Sequence, residues 1–376
     1  MALSSATKAR VIGGLLALLV LVGGFGAWVR RERLLTWYYL RGLTQAPADN
    51  SDAWAERVGS LGEVAVPGLL DCLTHDDEHV CANVRKALVK ICGRLPQNDA
   101  RWQVLVDRML EAFPHLSDSG QRCVLSLAGE WLRPTGQPSA ATLAFGGNLL
   151  NAASQTSDSA ARAIALDIAA ALLSSESHQE MLAPCRALAR ACLGDSDSKN
   201  RERAVHLALY PHLQVLSDVA PLLRDPAVEV RRAVVLAVGN SRAAISDERL
   251  ALALHDPDPE VRRLCEKGLL GRGLTRRHIQ LARLITDSRP TVRLQVLLYL
   301  QDDTDLDVAV WLRLLTHDPA ELVRFAAIRA IAEQGVAELN DRLEQMAASD
   351  PNPTVSRWAR YYAGRIKQLQ AKNQTP

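Results

Sequence analysis

Apolar positions in the C-terminal half of the chain recur with a helical period that is interrupted at fixed intervals. After each of five aspartates, Asp225, Asp256, Asp287, Asp318 and Asp350, the fifth residue is a valine: Val230, Val261, Val292, Val323 and Val355. The ninth residue is Val234, Cys265, Val296, Ala327 or Ala359, and the thirteenth is Val238, Leu269, Leu300, Ile331 or Ala363. Steps of four keep these side chains on one face of a helix. A second apolar helix precedes each aspartate, with Val219, Leu250, Leu281 and Leu312 six residues before it and Leu222, Ala253, Leu284 and Leu315 three before. The aspartates are spaced by 31, 31, 31 and 32 residues, room for two helices and two turns. The pattern predicts a row of helical hairpins, each with the aspartate in its turn. No strand-like alternation bounded by turns stands out.

An aspartate at that point is expected to cap the helix that follows, and the next residue, often proline, suits a first helical position. The arginines six residues on, Arg231, Arg262, Arg293 and Arg324, then lie on the second helix near the turn of a neighbouring hairpin. An active site needs one constellation. This pair recurs at every layer, about 10 Å from the next for packed helices, so an architectural role is expected. These units, together with LGEVAVPGLLDCLTHDDEHVCANVRKALVKICG at 61–93, resemble HEAT repeats of the short variety named after phycobilisome lyases. Pro67 fits the first-helix proline and Val84-Arg85 the start of the second helix. The resemblance covers 54–370. It implies an all-α solenoid of helical hairpins, an aspartate–arginine ladder along the stack (Asp225, Arg231, Asp256, Arg262, Asp287, Arg293, Asp318, Arg324) and second helices lining a concave face. Between the clear units the pattern is degraded: second helices are expected around Arg122, Arg162 and Arg203, without a clean Asp-Pro turn, and the repeat count between 95 and 215 stays open.

Composition fits closely packed helices, with 48% apolar residues and only 5% aromatic. The net charge of +2 is unevenly placed. Lys8, Arg10, Arg30, Arg31, Arg33 and Arg41 against Glu32 give +5 over 1–41, which leaves −3 for the rest, the wrong sign for a protein that neutralises phosphates, so no nucleic-acid partner is expected. Between Arg10 and Arg30 run 19 uncharged residues, VIGGLLALLVLVGGFGAWV, about 28 Å as a helix. Trp28 followed by Arg30 and Arg31 resembles an interfacial stop more than Gly24-Phe25-Gly26 resembles a cleavage site. The expected organisation is a tail at 1–10, a transmembrane helix at 11–29, a juxtamembrane segment and linker at 30–53, the repeats at 54–370 and a disordered tail at 371–376. Basic residues flank both ends of the span and lean toward a cytoplasmic body. Seven cysteines, odd in number and without a CxxC, agree with a reduced protein.

Catalytic chemistry finds little support. His75, His255 and His317 each precede an aspartate in a turn, but His255 and His317 are two repeats apart, about 20 Å, too far to share a metal. There is no His-Glu dyad, GxSxG, P-loop or dinucleotide fingerprint. No cofactor, metal or catalytic residue is expected. One basic stretch stands out: from Glu260 to Arg293, nine basic residues face three acidic ones, a local +6. Within it Arg263, beside the ladder arginine, and Arg276 and Arg277, in the following turn, are the candidate partner-binding residues. The expectation is a membrane-tethered, non-catalytic scaffold that contacts the bilayer through 11–29 and binds a protein partner not identified by the sequence. The alternative is a bilin-lyase-like or other enzyme on the same repeats.

Overall fold

Turn residues set where the helices begin. Asp77, Ser117, Asp197, Asp258 and Asp307 stand in extended conformation ahead of a helix, and each side chain accepts an amide hydrogen from its first turn. The computed structural model describes residues 33–132, 138–173, 179–301 and 306–373, and among these there is no strand. The chain divides between Leu216 and Ser217 into two compact bodies.

Among the described residues the N-terminal body opens with α1, described over 33–45, and α2 (Ser51–Ser60). Four hairpins follow: α3 (Val66–Cys72) with α4 (Glu78–Gly93), α5 (Ala100–Ala112) with α6 (Asp118–Trp131), α7 (Ala140–Ala153) with α8 (Ser159–Leu173), and α9 (Leu182–Cys192) with α10 (Ser198–Leu207). First helices pack on first helices, α3 on α5 on α7 on α9, and second on second, α4 on α6 on α8 on α10. The second helices expected around Arg122, Arg162 and Arg203 are thus α6, α8 and α10, and the stretch 95–215 holds three hairpins. The stretch 44–53 is not an unpacked linker. Leu43 and Ala46 are buried, the Asn83 side chain donates to both their carbonyls at 3.1 Å, and α2 already starts at Ser51. Leu43 at its edge and Ala46 within it hold it in place, which a polarity average hides. The transmembrane helix expected at 11–29 lies outside the described residues, as do 1–10 and 374–376; α20 runs on to Asn373, into the expected tail. No described helix is long and apolar enough to cross a membrane.

In the C-terminal body the second helices are α11 (Val228–Val238), α13 (Pro259–Gly271), the broken pair α15 (Pro290–Arg293) and α16 (Val296–Gln301), α18 (Glu321–Glu333) and α20 (Pro353–Asn373). Their first-helix partners are the 310 stretch Leu216–Arg224, α12 (Asp247–Ala251), α14 (Arg276–Ile285), α17 (Val308–Leu315) and α19 (Asn340–Ser349). The apolar positions read from the sequence form the core: Val230, Val234, Val238, Val261, Cys265, Leu269, Val323, Ala327 and Ile331 are wholly buried. Only Val292 of the repeated valines is less than buried, in the broken helix.

The α11–α13 contact is closed by glycines. A Cβ on Gly268 would stand 2.9 Å from the Gly239 Cα and 3.1 Å from its carbonyl oxygen, backbone atoms that cannot swing aside. Gly268→Val is therefore expected to destabilise the protein by about 1–3 kcal/mol through overpacking. Gly364→Ala, whose new methyl meets nothing within 4 Å, should leave stability equal or slightly higher. Urea unfolding in mild detergent, followed by circular dichroism, measures both; an unchanged midpoint for Gly268→Val contradicts the close approach.

Candidate interaction surface

The repeated aspartates do their work one step earlier than a helix cap. Each accepts the amide of the residue two positions on: Ala227 (2.9 Å), Asp258 (2.9 Å), Arg289 (2.8 Å), Ala320 (2.7 Å) and Asn352 (2.9 Å). That residue, and not the aspartate, is the N-cap of α11, α13, α15 and α18. Pro226, Pro257 and Pro319 accordingly precede the helix, and the proline at the first helical position is the one three after the aspartate, Pro259 or Pro290.

The arginine six residues on divides its donors. Nη1 turns back to the carbonyl of its own aspartate, at 2.8 Å for Arg231, 2.6 Å for Arg262, 2.8 Å for Arg293 and 2.9 Å for Arg324. Nε and Nη2 reach forward to the carboxylate of the next hairpin as a fork: Arg231 to Asp256 (2.7 and 3.0 Å), Arg293 to Asp318 (2.6 and 2.8 Å), Arg324 to Asp350 (2.8 and 2.9 Å). None of these carboxylates is more than 7% exposed. The motif extends into the N-terminal body, where Arg201 donates to the carbonyl of Asp195 (2.8 Å) and Arg162 to its carboxylate (2.5 Å). Arg201, not Arg203, is the repeat arginine there. Buried Asn200 stands in the valine position and hid the unit, although the six-residue spacing from Asp195 was legible.

A second rung, absent from the sequence reading, starts five residues past the N-cap. Arg122 pairs with Asp158 (2.9 Å), and Arg232 with Asp258 (3.0 and 2.6 Å), the N-cap of the following second helix. The next arginine in this series, Arg263, would meet Arg289 at the N-cap. It turns instead to Glu260 on its own helix (2.7 and 2.5 Å). Arg289 in turn forks onto Asp287 (both 3.0 Å), and among the described residues Arg262 forms no ion pair with that carboxylate. One basic residue at an N-cap therefore breaks both rungs at one layer, where the second helix is also split into α15 and α16.

Electrostatics follow the rungs. Burial alone would raise the Asp350 carboxyl, but the Arg324 fork and the Asn352 amide outweigh it, and its pKa lies below the usual value. The Arg232 hydrogen bonds bring Asp258 to about 2, and those of Arg289 hold Asp287 well below the carboxylate range. Arg272, counted in sequence as part of the basic stretch, is an internal tie. Its side chain donates to the carbonyls of Val238 (2.7 Å), Gly239 (2.6 Å), Ser241 (3.0 Å) and Ile245 (2.9 Å) and to Asp247 (2.8 Å).

Beside the broken rung, on the first-helix side, a groove of about 930 Å³ runs between α12, α14 and α17. Leu252, Ile285, Val310, Trp311 and Leu314 make its apolar surface, and the Arg293–Asp318 rung lies along it. The His278 ring lies nearly parallel to Trp311 at 6.3 Å. Val310, Leu314 and Leu252 are exposed.

The three candidate partner residues do not share one helix layer. Arg263 is on α13, exposed and paired with Glu260 on the same helix. Arg276 and Arg277 open the first turn of α14, a first helix and not an inter-repeat turn, and both are exposed. They sit in sequence between Leu274 and His278, which line the groove. The expected second-helix face is thus replaced, for these two, by the first-helix side. His75, His255 and His317 are exposed: His255 bonds Thr286 of the next hairpin (3.0 Å) and His317 the Arg313 carbonyl (2.9 Å). Cys92, Cys123, Cys185, Cys192 and Cys265 are buried free thiols raised to about 12 by burial, which suppresses the reactive thiolate.

Three outcomes test the rungs. Arg324→Ala strands Asp350 and should cost about 3–5 kcal/mol, whereas Asp287→Ala, off the ladder, should cost about 1 kcal/mol or less. Arg289→Asp supplies an acidic N-cap facing Arg263 and should raise stability by about 0.5–2 kcal/mol despite reversing a charge; a lowered urea midpoint contradicts the second rung. For Asp350 the folded pKa lies below the unfolded one, so its stabilisation is present above about pH 4 and lost as pH falls through the folded value. Unfolding midpoints measured from pH 5 downward should drop more steeply for the natural chain than for Asp350→Asn.

No curated protein matches the chain. Among solved structures it is similar to an engineered protein, 14% identical over 88% of this chain and 98% of that one, with a TM-score of 0.30. It is also similar to a structure concerned with tubulin recruitment and assembly by microtubule polymerases with tumor overexpressed gene domain arrays, 14% identical over 87% of this chain and 86% of that one, with a TM-score of 0.25. Residues 308–373, the hairpins α17/α18 and α19/α20, match the family model described as HEAT repeats, in general rather than in the phycobilisome-lyase variety.

Proposed function

We propose that this protein is a non-catalytic scaffold, tethered to a membrane through 11–29 with its body on the cytoplasmic side, and that its C-terminal body seats a protein partner in the groove between α12, α14 and α17. The observation that carries the reading is the groove itself. Exposed Leu252, Val310 and Leu314 around a nearly buried Trp311 form an apolar surface built by three successive hairpins, and apolar surface of that kind on a helical repeat marks an interaction site. Arg276 and Arg277 beside it supply charge at the rim, which acts on association rate more than on affinity. The tether rests on the uncharged 19-residue stretch with Trp28, Arg30 and Arg31 at its end.

Three measurements test this. Carbonate washing should leave the full chain in the membrane pellet, and its release into the wash removes the tether. Capture from detergent extract should retain a defined set of proteins on the natural chain that is lost on Leu314→Glu, with helical content unchanged; the same set on both removes the groove. Reversal of Arg276 and Arg277 to glutamate should slow capture at low salt and make little difference at high salt.

A further inference from the structure

From the docking of α1 we infer that its outer face is a membrane-interface seat, so that the N-terminal body is held flush against the lipid headgroups instead of hanging from a flexible tether. The inference rests on the reading of 11–29 as a membrane span and adds to it a contact surface and a fixed posture.

Helix α1 has two faces. Toward the body, Leu43 is buried, Leu40 lies over Gly68 so closely that a Cβ there would meet its Cδ1, and Gly42 is covered by the Trp54 ring. Asn83 ties the end of the helix through the Leu43 and Ala46 carbonyls, and the His79 ring bonds the latter at 2.8 Å. Nothing in this packing resembles a hinge. The opposite face presents Arg33, Leu34, Trp37, Tyr38 and Arg41, spaced so that all fall on one side of the helix. Leu34, Trp37 and Tyr38 are 64%, 57% and 55% exposed, the large apolar surface that water penalises most. The Arg41 guanidinium lies 5.4 Å from the Trp37 ring centre.

Two further facts select lipid as the occupant. The uncharged stretch ends at Val29, and only Arg30, Arg31 and Glu32 lie between it and Arg33, the first described residue of α1, at most about 10 Å of chain. A span ending there leaves α1 within the headgroup layer. The residues on the exposed face are also those the interface favours: indole and phenol rings that are apolar in body and polar at the tip, and arginines opposite anionic headgroups. With Arg30, Arg31, Arg33 and Arg41 against Glu32, the local charge is complementary to phosphatidylserine.

The test uses the full chain reconstituted in vesicles of phosphatidylcholine and phosphatidylserine, with an environment-sensitive fluorophore on Tyr38→Cys, or on Val104→Cys, an exposed position on α5, as the aqueous reference. The natural chain carried through the same labelling sets the background from its own thiols. The Tyr38 label should emit to the blue of the Val104 label, be quenched several-fold less by iodide, and be quenched by lipids carrying a nitroxide near the headgroup. Equal iodide access at both positions, in a chain that still resists carbonate washing, overturns the seat and leaves the tether standing. A chain removed by the wash overturns the tether, and the seat with it. Trp37→Asp combined with Tyr38→Asp should abolish the blue shift of a label at Leu34→Cys while the chain stays in the pellet; an unaltered shift also counts against the seat.

Discussion

A guanidinium carries its N–H donors in one rigid plane, and Arg231, Arg293 and Arg324 each divide that plane between two hairpins. One edge holds the carbonyls of its own turn, and the other forks onto the carboxylate of the next turn. A buried carboxylate or guanidinium alone would be costly, so neither hairpin is satisfied without its neighbour. The hydrophobic contact between helices is indifferent to small slides, whereas the fork is not. It fixes the register from one hairpin to the next, and the repeated valine, whose side chain must enter the same layer, follows from that register. Arg272 applies related chemistry: four carbonyls at the end of α11 and in the loop after it are gathered by one side chain from the end of α13.

The same geometry explains where the stack is least constrained. Arg289 occupies an N-cap where Asp258 and Asp158 stand elsewhere, and it engages Asp287, so that layer has neither the forward fork nor the second rung. The second helix there breaks after Arg293 and resumes at Val296, and the groove opens on the first-helix side of the same layer. The Arg293–Asp318 fork along the groove is kept, and Leu252, Val310 and Leu314 stand exposed around the nearly buried Trp311. Missing rungs and apolar groove thus adjoin at one hairpin.

Much of this was legible in the sequence, because a helix period and a fixed spacing are local properties. The hairpins of the C-terminal body, the buried faces at five, nine and thirteen residues after each aspartate, and the second helices near Arg122 and Arg162 follow from the pattern alone. The N-cap position was misplaced by two residues because Asp-Pro looks like a cap and first turn, while the chain needs a further turn before the helix begins. Helix α1 falls in the stretch expected as juxtamembrane segment and linker, because its docking depends on Asn83, about forty residues away. The groove was illegible for a similar reason: Leu252, Ile285 and Leu314 each look like ordinary core positions until three first helices are set side by side.

Charge counted along the sequence misleads in such a fold. The stretch from Glu260 to Arg293 sums to +6, yet Arg272 and Arg293 are buried in ties, Arg262 is committed to backbone carbonyls, and Arg263, Arg283 and Arg289 each face a carboxylate. The carboxylates that neutralise Arg293 and its kind come from the next hairpin, outside the window that was summed. A repeat protein places its partners about thirty residues apart, so a local excess of one sign in the sequence reports the phase of the repeat and not the field at the surface. The position of an arginine relative to its N-cap is the better guide: Arg276 and Arg277 stand in the first turn of the first helix α14, not at the second-helix positions that make the rungs.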